Sequence, residues 1–232
     1  MRLLIASTST LHGGKYLEYL SNPIKELFSG RTVTFIPYAR PGGITHEAYT
    51  QKAREAFGAL GIRLRGIHEY DNPRKAVLEA EGFFTGGGNT FLLTDMLHRK
   101  ELMDAMAEAV KEGIPYMGSS AGSNIAGQTM QTTNDMPIVY PPSFKTLGLL
   151  PFNLNPHYQD PDPQSVHMGE TRETRIREFH AFNSTPVLGL REGSWLEQHD
   201  DDIILRGSLT ARLFRQEMDP VELEPGVSIR ID

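Results

Sequence analysis

The chain of 232 residues contains no cysteine. Disulfides, thiolate metal sites and cysteine nucleophiles are thereby excluded, so any covalent catalysis has to run through another side chain. Basic charge is also short: 23 Lys and Arg stand against 29 Asp and Glu, for a net charge of −6. No basic run and no basic patch interleaved with aromatics occurs, so no nucleic-acid partner is expected. Long apolar runs are missing as well. No stretch approaches the roughly 18 apolar residues that a spanning helix needs, and no membrane partner is expected. The apolar start Leu3-Leu4-Ile5-Ala6 turns polar at Ser7, too soon for a signal-peptide core. These absences predict a soluble, cytoplasmic protein. The eight histidines never pair as H-x-x-x-H or H-E-x-x-H. No metal is expected on that ground, and no cofactor.

What is present reads as alternating strands and helices. Strands are predicted over 3–6, 32–37, 62–67, 82–85 and 114–117, with helical stretches over 16–28, 45–60, 73–80, 91–97 and 102–111 between them. Thr45 and Asn72 sit where N-caps belong, and Pro73 falls in a first turn. Pro23 marks a break or a new first turn within 16–28. Beyond residue 126 the texture changes. Residues 147–154 and 186–190 read as strands and 171–182 as a helix with Ile176, Phe179 and Phe182 on one side. From Ser194 the chain reads as a terminal antiparallel meander. This alternation predicts an α/β fold, a parallel sheet covered on both faces with a C-terminal antiparallel strand extension. One domain spanning 1–232 is expected, long enough to bury about three quarters of its unfolded surface.

Two glycine-rich turns fall at carboxyl ends of predicted strands, where ligands of such sheets bind. Gly86-Gly87-Gly88-Asn89-Thr90 lacks both the P-loop lysine and the dinucleotide-fingerprint spacing. Gly118-Ser119-Ser120-Ala121-Gly122 fits G-x-S-x-G, the nucleophile elbow, with Ser120 at its centre and a small-residue helix expected after it. A serine hydroxyl needs a base, usually His, and a group to orient that base. His157 follows a strand at a place where a loop would leave a sheet edge. His46, His98, His180 and His199 read as surface residues, and His12 and His167 as loop residues. For the orienting acid, spacing leaves Asp135 and Glu192 open.

Beyond these patterns, the chain resembles the serine peptidase family that holds the aspartyl dipeptidases (peptidase E) and cyanophycinase. The motifs that carry the likeness are Gly86-Gly87-Gly88-Asn89-Thr90-Phe91, Ser120-Ala121-Gly122, Thr132-Thr133-Asn134-Asp135-Met136-Pro137-Ile138-Val139, Asn155-Pro156-His157, Gly169-Glu170-Thr171-Arg172, and Glu192-Gly193 before Trp195. It extends over nearly the whole chain. Ser119 departs from the pattern, since that position is often Trp in the bacterial enzymes. The resemblance implies a three-layer parallel-sheet sandwich like the class I glutamine amidotransferases. It implies a triad of Ser120, His157 and Glu192, with acyl transfer from peptides bearing an N-terminal aspartate. The N–H groups of Gly88 and Ala121 are the expected oxyanion donors. Arg172 by itself reads as a surface residue with Glu neighbours; under the resemblance it becomes the cation for the aspartate carboxylate. Asp135 and Glu170 are both candidates for the substrate amine. Loops 38–45 and 158–169 are expected to narrow the crevice. Two other readings stand beside this one: a cyanophycinase-like exopeptidase for β-linked Asp-Arg, and a non-catalytic binding module. A monomer or small homo-oligomer is expected.

Overall fold

Alternation along the first strand divides the core in two. In the computed structural model, which describes residues 1–161, 164 and 169–231, Leu3 and Ile5 of β1 (Arg2–Ala6) face one apolar cluster, and Leu4 and Ala6 face another. That is the two-residue period of a strand buried on both faces. The chain continues through α1 (Ser21–Phe28), β2 (Thr32–Ile36), α2 (His46–Gly58), β3 (Arg63–Gly66), α3 (Pro73–Leu78), β4 (Phe83–Thr85), α4 (Thr90–Arg99), α5 (Met103–Lys111) and β5 (Tyr116–Ser119). A single helical turn, α6 (Ala121–Asn124), follows the elbow. Then come β6 (Asn153–Pro156), α7 (Arg172–His180), β7 (Val187–Leu190), β8 (Ser194–His199), β9 (Asp202–Gly207), β10 (Ala211–Phe214) and β11 (Val221–Leu223).

The central sheet has the order β3-β2-β4-β5-β1-β8-β9. Its first five strands are parallel, and β8 and β9 extend it antiparallel beside β1. On one face, Ile24 and Phe28 of α1 and Tyr49, Ala53 and Phe57 of α2 pack on Leu4, Phe35, Phe84 and Met117. On the other face, Val77, Leu93, Met106 and Val110 of α3, α4 and α5 share a cluster with Leu154, Leu188 and Leu213 of a second sheet. That sheet has the order β11-β10-β7-β6, so β6 is an edge strand. Helices on both faces of a mostly parallel sheet match the expected architecture. Thr45 and Asn72 cap α2 and α3 as expected, accepting from the N–H groups of Ala48 and Lys75. Pro23 lies in the first turn of α1. Among the described residues no helix is long and apolar enough to cross a membrane.

Four local expectations need correction. The strand expected over 147–154 is confined to Asn153–Pro156. The N–H groups of Leu147, Gly148, Leu149 and Leu150 are spent on carbonyls of residues 125–127. They thereby close the turn that follows α6, the small-residue helix expected after the elbow, which is a single turn. The terminal meander is split between two sheets: β8 and β9 complete the central one, whereas β10 and β11 join β7. Helix α7 ends at His180, so Phe182 leaves the apolar side and is 91% exposed. His180 itself is buried, its Nε2 paired with the Thr185 carbonyl oxygen at 3.0 Å.

Candidate active site

Strands β4 and β5 are hydrogen-bonded neighbours, so the turns at their carboxyl ends lie side by side. At the end of β5, Ser120 has φ 54° and ψ −113°. Such a conformation costs a non-glycine residue on the order of 1–3 kcal/mol and persists only when its surroundings enforce it. The Ser120 N–H donates to the Ala6 carbonyl at 3.2 Å, and its own carbonyl accepts from Asn124 at 2.9 Å. Gly122 completes the turn because a Cβ there would strike the Thr85 carbonyl of β4.

His157, next after β6, also has a positive φ, 55°. Its Nε2 lies 2.9 Å from Ser120 Oγ, and its Nδ1 lies 2.5 Å from Glu192 Oε1. An ionised carboxylate can only accept, so Nδ1 carries the proton and Nε2 is left to accept from the Ser120 hydroxyl. Glu192 sits in the turn between β7 and β8. Its side chain is 52% exposed, so burial does not hold it in place. The structure therefore brings together three side chains expected from the sequence, and it selects Glu192 over Asp135 as the carboxylate on the imidazole.

The triple-glycine turn abuts the nucleophile. A Cβ at Gly87 would lie 3.0 Å from Ser120 Cβ and 3.4 Å from its Oγ. Gly88 has φ 150°, and a Cβ there would strike the Ala39 carbonyl, so the loop after β2 closes directly over this turn. The Tyr49 hydroxyl donates to the Gly87 carbonyl at 3.2 Å. In a planar trans peptide the next N–H, that of Gly88, points the opposite way. Neither the Gly88 nor the Ala121 N–H has an acceptor among the described residues.

Asp135 lies apart from the imidazole. Its Oδ2 accepts from the Thr90 N–H at 2.7 Å, the Thr90 hydroxyl at 2.6 Å and the Thr133 hydroxyl at 3.1 Å. It thereby helps satisfy the first turn of α4, whose N-cap is Asn89. The same segment braces the histidine strand: Asn134 donates to the Pro156 carbonyl at 2.8 Å, and Asn155 donates to Asn134 Oδ1 at 2.8 Å. Arg172 is the first residue of α7, after the Thr171 N-cap. It has no ion-pair or hydrogen-bond partner among the described residues. Partial burial and the charge of Arg175 hold its guanidinium below the ordinary value, with Asp135 pulling it back up. Glu170 is exposed. Of the loops expected to narrow the crevice, residues 162–163 and 165–168, including His167, lie outside the described residues. Sequence reasoning missed Ser7 and Tyr49; only their place beside strand ends and glycine turns could have drawn attention to them. Among the described residues no group of three or more His, Asp or Glu is placed to hold a metal ion.

A serine at a strained strand-to-helix turn, met by an imidazole and a carboxylate at the rim of a parallel sheet, is the arrangement of serine hydrolases. The chain belongs to peptidase family S51, whose profile matches residues 3–206. It is 50% identical over 227 residues to a Streptomyces coelicolor protein named "Peptidase E", covering 97% of this chain and 92% of that one. It is 44% identical to a Drosophila melanogaster protein named "Probable alpha-aspartyl dipeptidase", covering 96% and 93%. Among solved structures, a peptidase from an acI-B1 Actinobacterium shares the fold, with a TM-score of 0.72 at 18% identity over 99% of this chain and 96% of that one.

Proposed function

We propose that the protein is a serine exopeptidase that hydrolyses dipeptides with an N-terminal aspartate. The observation that carries this reading is the hydrogen-bonded series from Ser120 Oγ to His157 Nε2, 2.9 Å, and from His157 Nδ1 to Glu192, 2.5 Å. In this mechanism Ser120 attacks the aspartyl carbonyl while His157 accepts its proton. His157 then donates that proton to the leaving amine, and the acyl-enzyme is hydrolysed by water activated at the same imidazole. Glu192 stays ionised and fixes the Nδ1–H tautomer. The Gly88 and Ala121 N–H groups receive the oxyanion.

Arg172 is the cation assigned to the aspartate side chain, because its planar fork suits a carboxylate and no acid among the described residues occupies it. The substrate amine is assigned to Asp135, whose Oδ1 has no donor among the described residues, or to Glu170. The names of the two relatives, peptidase E and alpha-aspartyl dipeptidase, support the same substrate class.

The test is hydrolysis of Asp-Leu, Asn-Leu, Ala-Leu and β-Asp-Arg by the wild type and by Ser120→Ala. Asp-Leu cleavage that disappears in Ser120→Ala is expected. Preferred cleavage of β-Asp-Arg would replace the substrate assignment, and equal cleavage by Ser120→Ala would remove the nucleophile.

A further inference from the structure

Ser7, the first residue after β1, is fully buried and touches both loops that complete the triad. Its Oγ donates to the Leu190 carbonyl at 2.7 Å and accepts from the His157 backbone N–H at 2.9 Å. Its own N–H donates to the Ser194 carbonyl at 3.2 Å. Leu190 and Ser194 bracket the turn that carries Glu192, and that turn is closed by the Ser194 N–H on the Arg191 carbonyl at 3.1 Å. One residue therefore grips the Glu192 turn at both ends and holds the backbone of His157 between them. Its neighbour Ala6 accepts from the Ser120 N–H. The nucleophile, base and acid are thus all referenced to two consecutive residues at the end of β1.

We propose that Ser7 is a positioning residue for the catalytic relay: its hydroxyl sets the distance between the His157 imidazole and the Glu192 carboxylate. The inference rests on the Ser120–His157–Glu192 reading above. Two features create the need for such a residue. His157 has φ 55°, a left-handed conformation that is costly for an L-residue and so calls for support. Glu192 is half exposed, and packing does not fix its rotamer. A hydroxyl is suited to the task because it donates and accepts at once, joining an N–H on one loop to a carbonyl on the other. Losing it leaves the Leu190 carbonyl with the Tyr158 N–H, 3.2 Å away, but leaves the His157 N–H without its acceptor. The defect therefore falls on the base.

The experiment measures covalent labelling of Ser120 by a fluorophosphonate, which reports nucleophile activation without calling on aspartate recognition. Ser7→Ala should be labelled about 10- to 100-fold more slowly at saturating probe, the scale expected of a misplaced catalytic group. Its half-saturating probe concentration should stay within about threefold of wild type, because probe binding is not what Ser7 serves. Ser7→Cys, close to serine in volume but weaker as donor and acceptor, should fall between the two and serves if the alanine variant does not fold. Proton NMR gives an independent readout. A downfield Nδ1–H signal, absent in His157→Gln, should move upfield or vanish in folded Ser7→Ala; a merely structural residue would leave it in place. Labelling and imidazole signal both unchanged in a folded variant would overturn the role of Ser7 alone. A wild type that is not labelled at Ser120 would overturn the triad reading and this inference with it.

Discussion

Arg191 and Asp160 form a bidentate ion pair: Arg191 Nε donates to Asp160 Oδ2 at 2.8 Å, and Nη2 donates to Oδ1 at 2.6 Å. Asp160 lies three residues beyond His157, and Arg191 immediately precedes Glu192, so this pair fastens together the loops that carry His157 and Glu192. Arg191 also reaches the Thr210 carbonyl and Glu222 of β11. Arg212 extends the cluster to Glu173, the neighbour of Arg172, at 3.1 Å. The second sheet thereby anchors both the histidine–glutamate pair and the helix that bears the proposed substrate cation.

The hydrogen bond from Arg191, outweighing the effect of partial burial, holds the Asp160 carboxyl below the usual carboxylate range. A depressed folded-state value means stabilisation that is fully present above the unfolded value, about 3.9 for Asp, and lost as pH falls through the folded one. Asp160→Asn should therefore be less stable than wild type at neutral pH, with the gap closing as pH drops below about 4. Urea midpoints of both proteins across that range check it. A gap that stays constant with pH would mean that the Asp160 charge adds nothing to the fold.

Tyr49→Phe removes the hydroxyl that holds the Gly87 carbonyl and keeps the ring, which packs edge-on against Phe35 with centroids 5.0 Å apart. The Gly88 N–H should then be less firmly aimed. The expected fall in kcat is about tenfold, short of the 100- to 1000-fold lost with an entire oxyanion donor. KM should hardly move, because the interaction is made only as the oxyanion forms. Steady-state kinetics on Asp-Leu decide it; an unchanged kcat would take Tyr49 out of the argument.

Glu192→Gln preserves shape but can present an N–H to the imidazole, favouring the tautomer that puts the proton on Nε2, where the serine proton must go. The expected loss in kcat is about 10,000-fold, as when a triad carboxylate is made an amide. Asp135→Asn keeps one carbonyl oxygen for Thr90 and does not touch the imidazole. It should cost far less in Ser120 labelling rate than Glu192→Gln. Equal losses would return Asp135 to the relay.

The sequence displays the parts of this site that are local and hides those that are made by the fold. Ser120 was legible because a strained turn demands small neighbours within two residues, and Gly122 meets that demand against Thr85. The sheet was legible because β1, β2, β4 and β5 bury both faces, β3 alternates Arg63 and Arg65 outward with Leu64 inward, and Thr45, Asn72 and the glycine turns punctuate them. His157 could not be chosen from eight histidines by spacing, since its φ and its place beside Ser120 depend on β6 joining a separate sheet. Leu147 to Leu150 look like a strand because they are apolar and buried, yet their N–H groups serve the turn that follows α6. Ser7 is one of several hydroxyl residues in a loop, and nothing local marks it off from Ser9 or Thr10. Its significance arises only where the carbonyls of residues 190 and 194 and the N–H of residue 157 converge on it.

Arg172 offers the sharpest separation of substrate recognition from folding. A cation in the first turn of a helix is opposed by the dipole, by about 0.3–1 kcal/mol. Arg172 makes no ion pair or hydrogen bond among the described residues, and the attraction of Asp135 is outweighed by burial and Arg175, so Arg172→Met should leave the thermal midpoint unchanged or slightly raised. Activity on Asp-Leu should fall about 100-fold or more, the scale of a truncated buried charge pair. Cleavage of Asn-Leu and Ala-Leu, which carry no charge for the guanidinium to meet, should change by less than about threefold, so the preference for aspartate collapses while the relay survives. Labelling of Ser120 should likewise be unaffected. A uniform decline across all three dipeptides would mean that Arg172 maintains the crevice and does not read the aspartate side chain, and the cation for that carboxylate would have to be sought elsewhere on the rim.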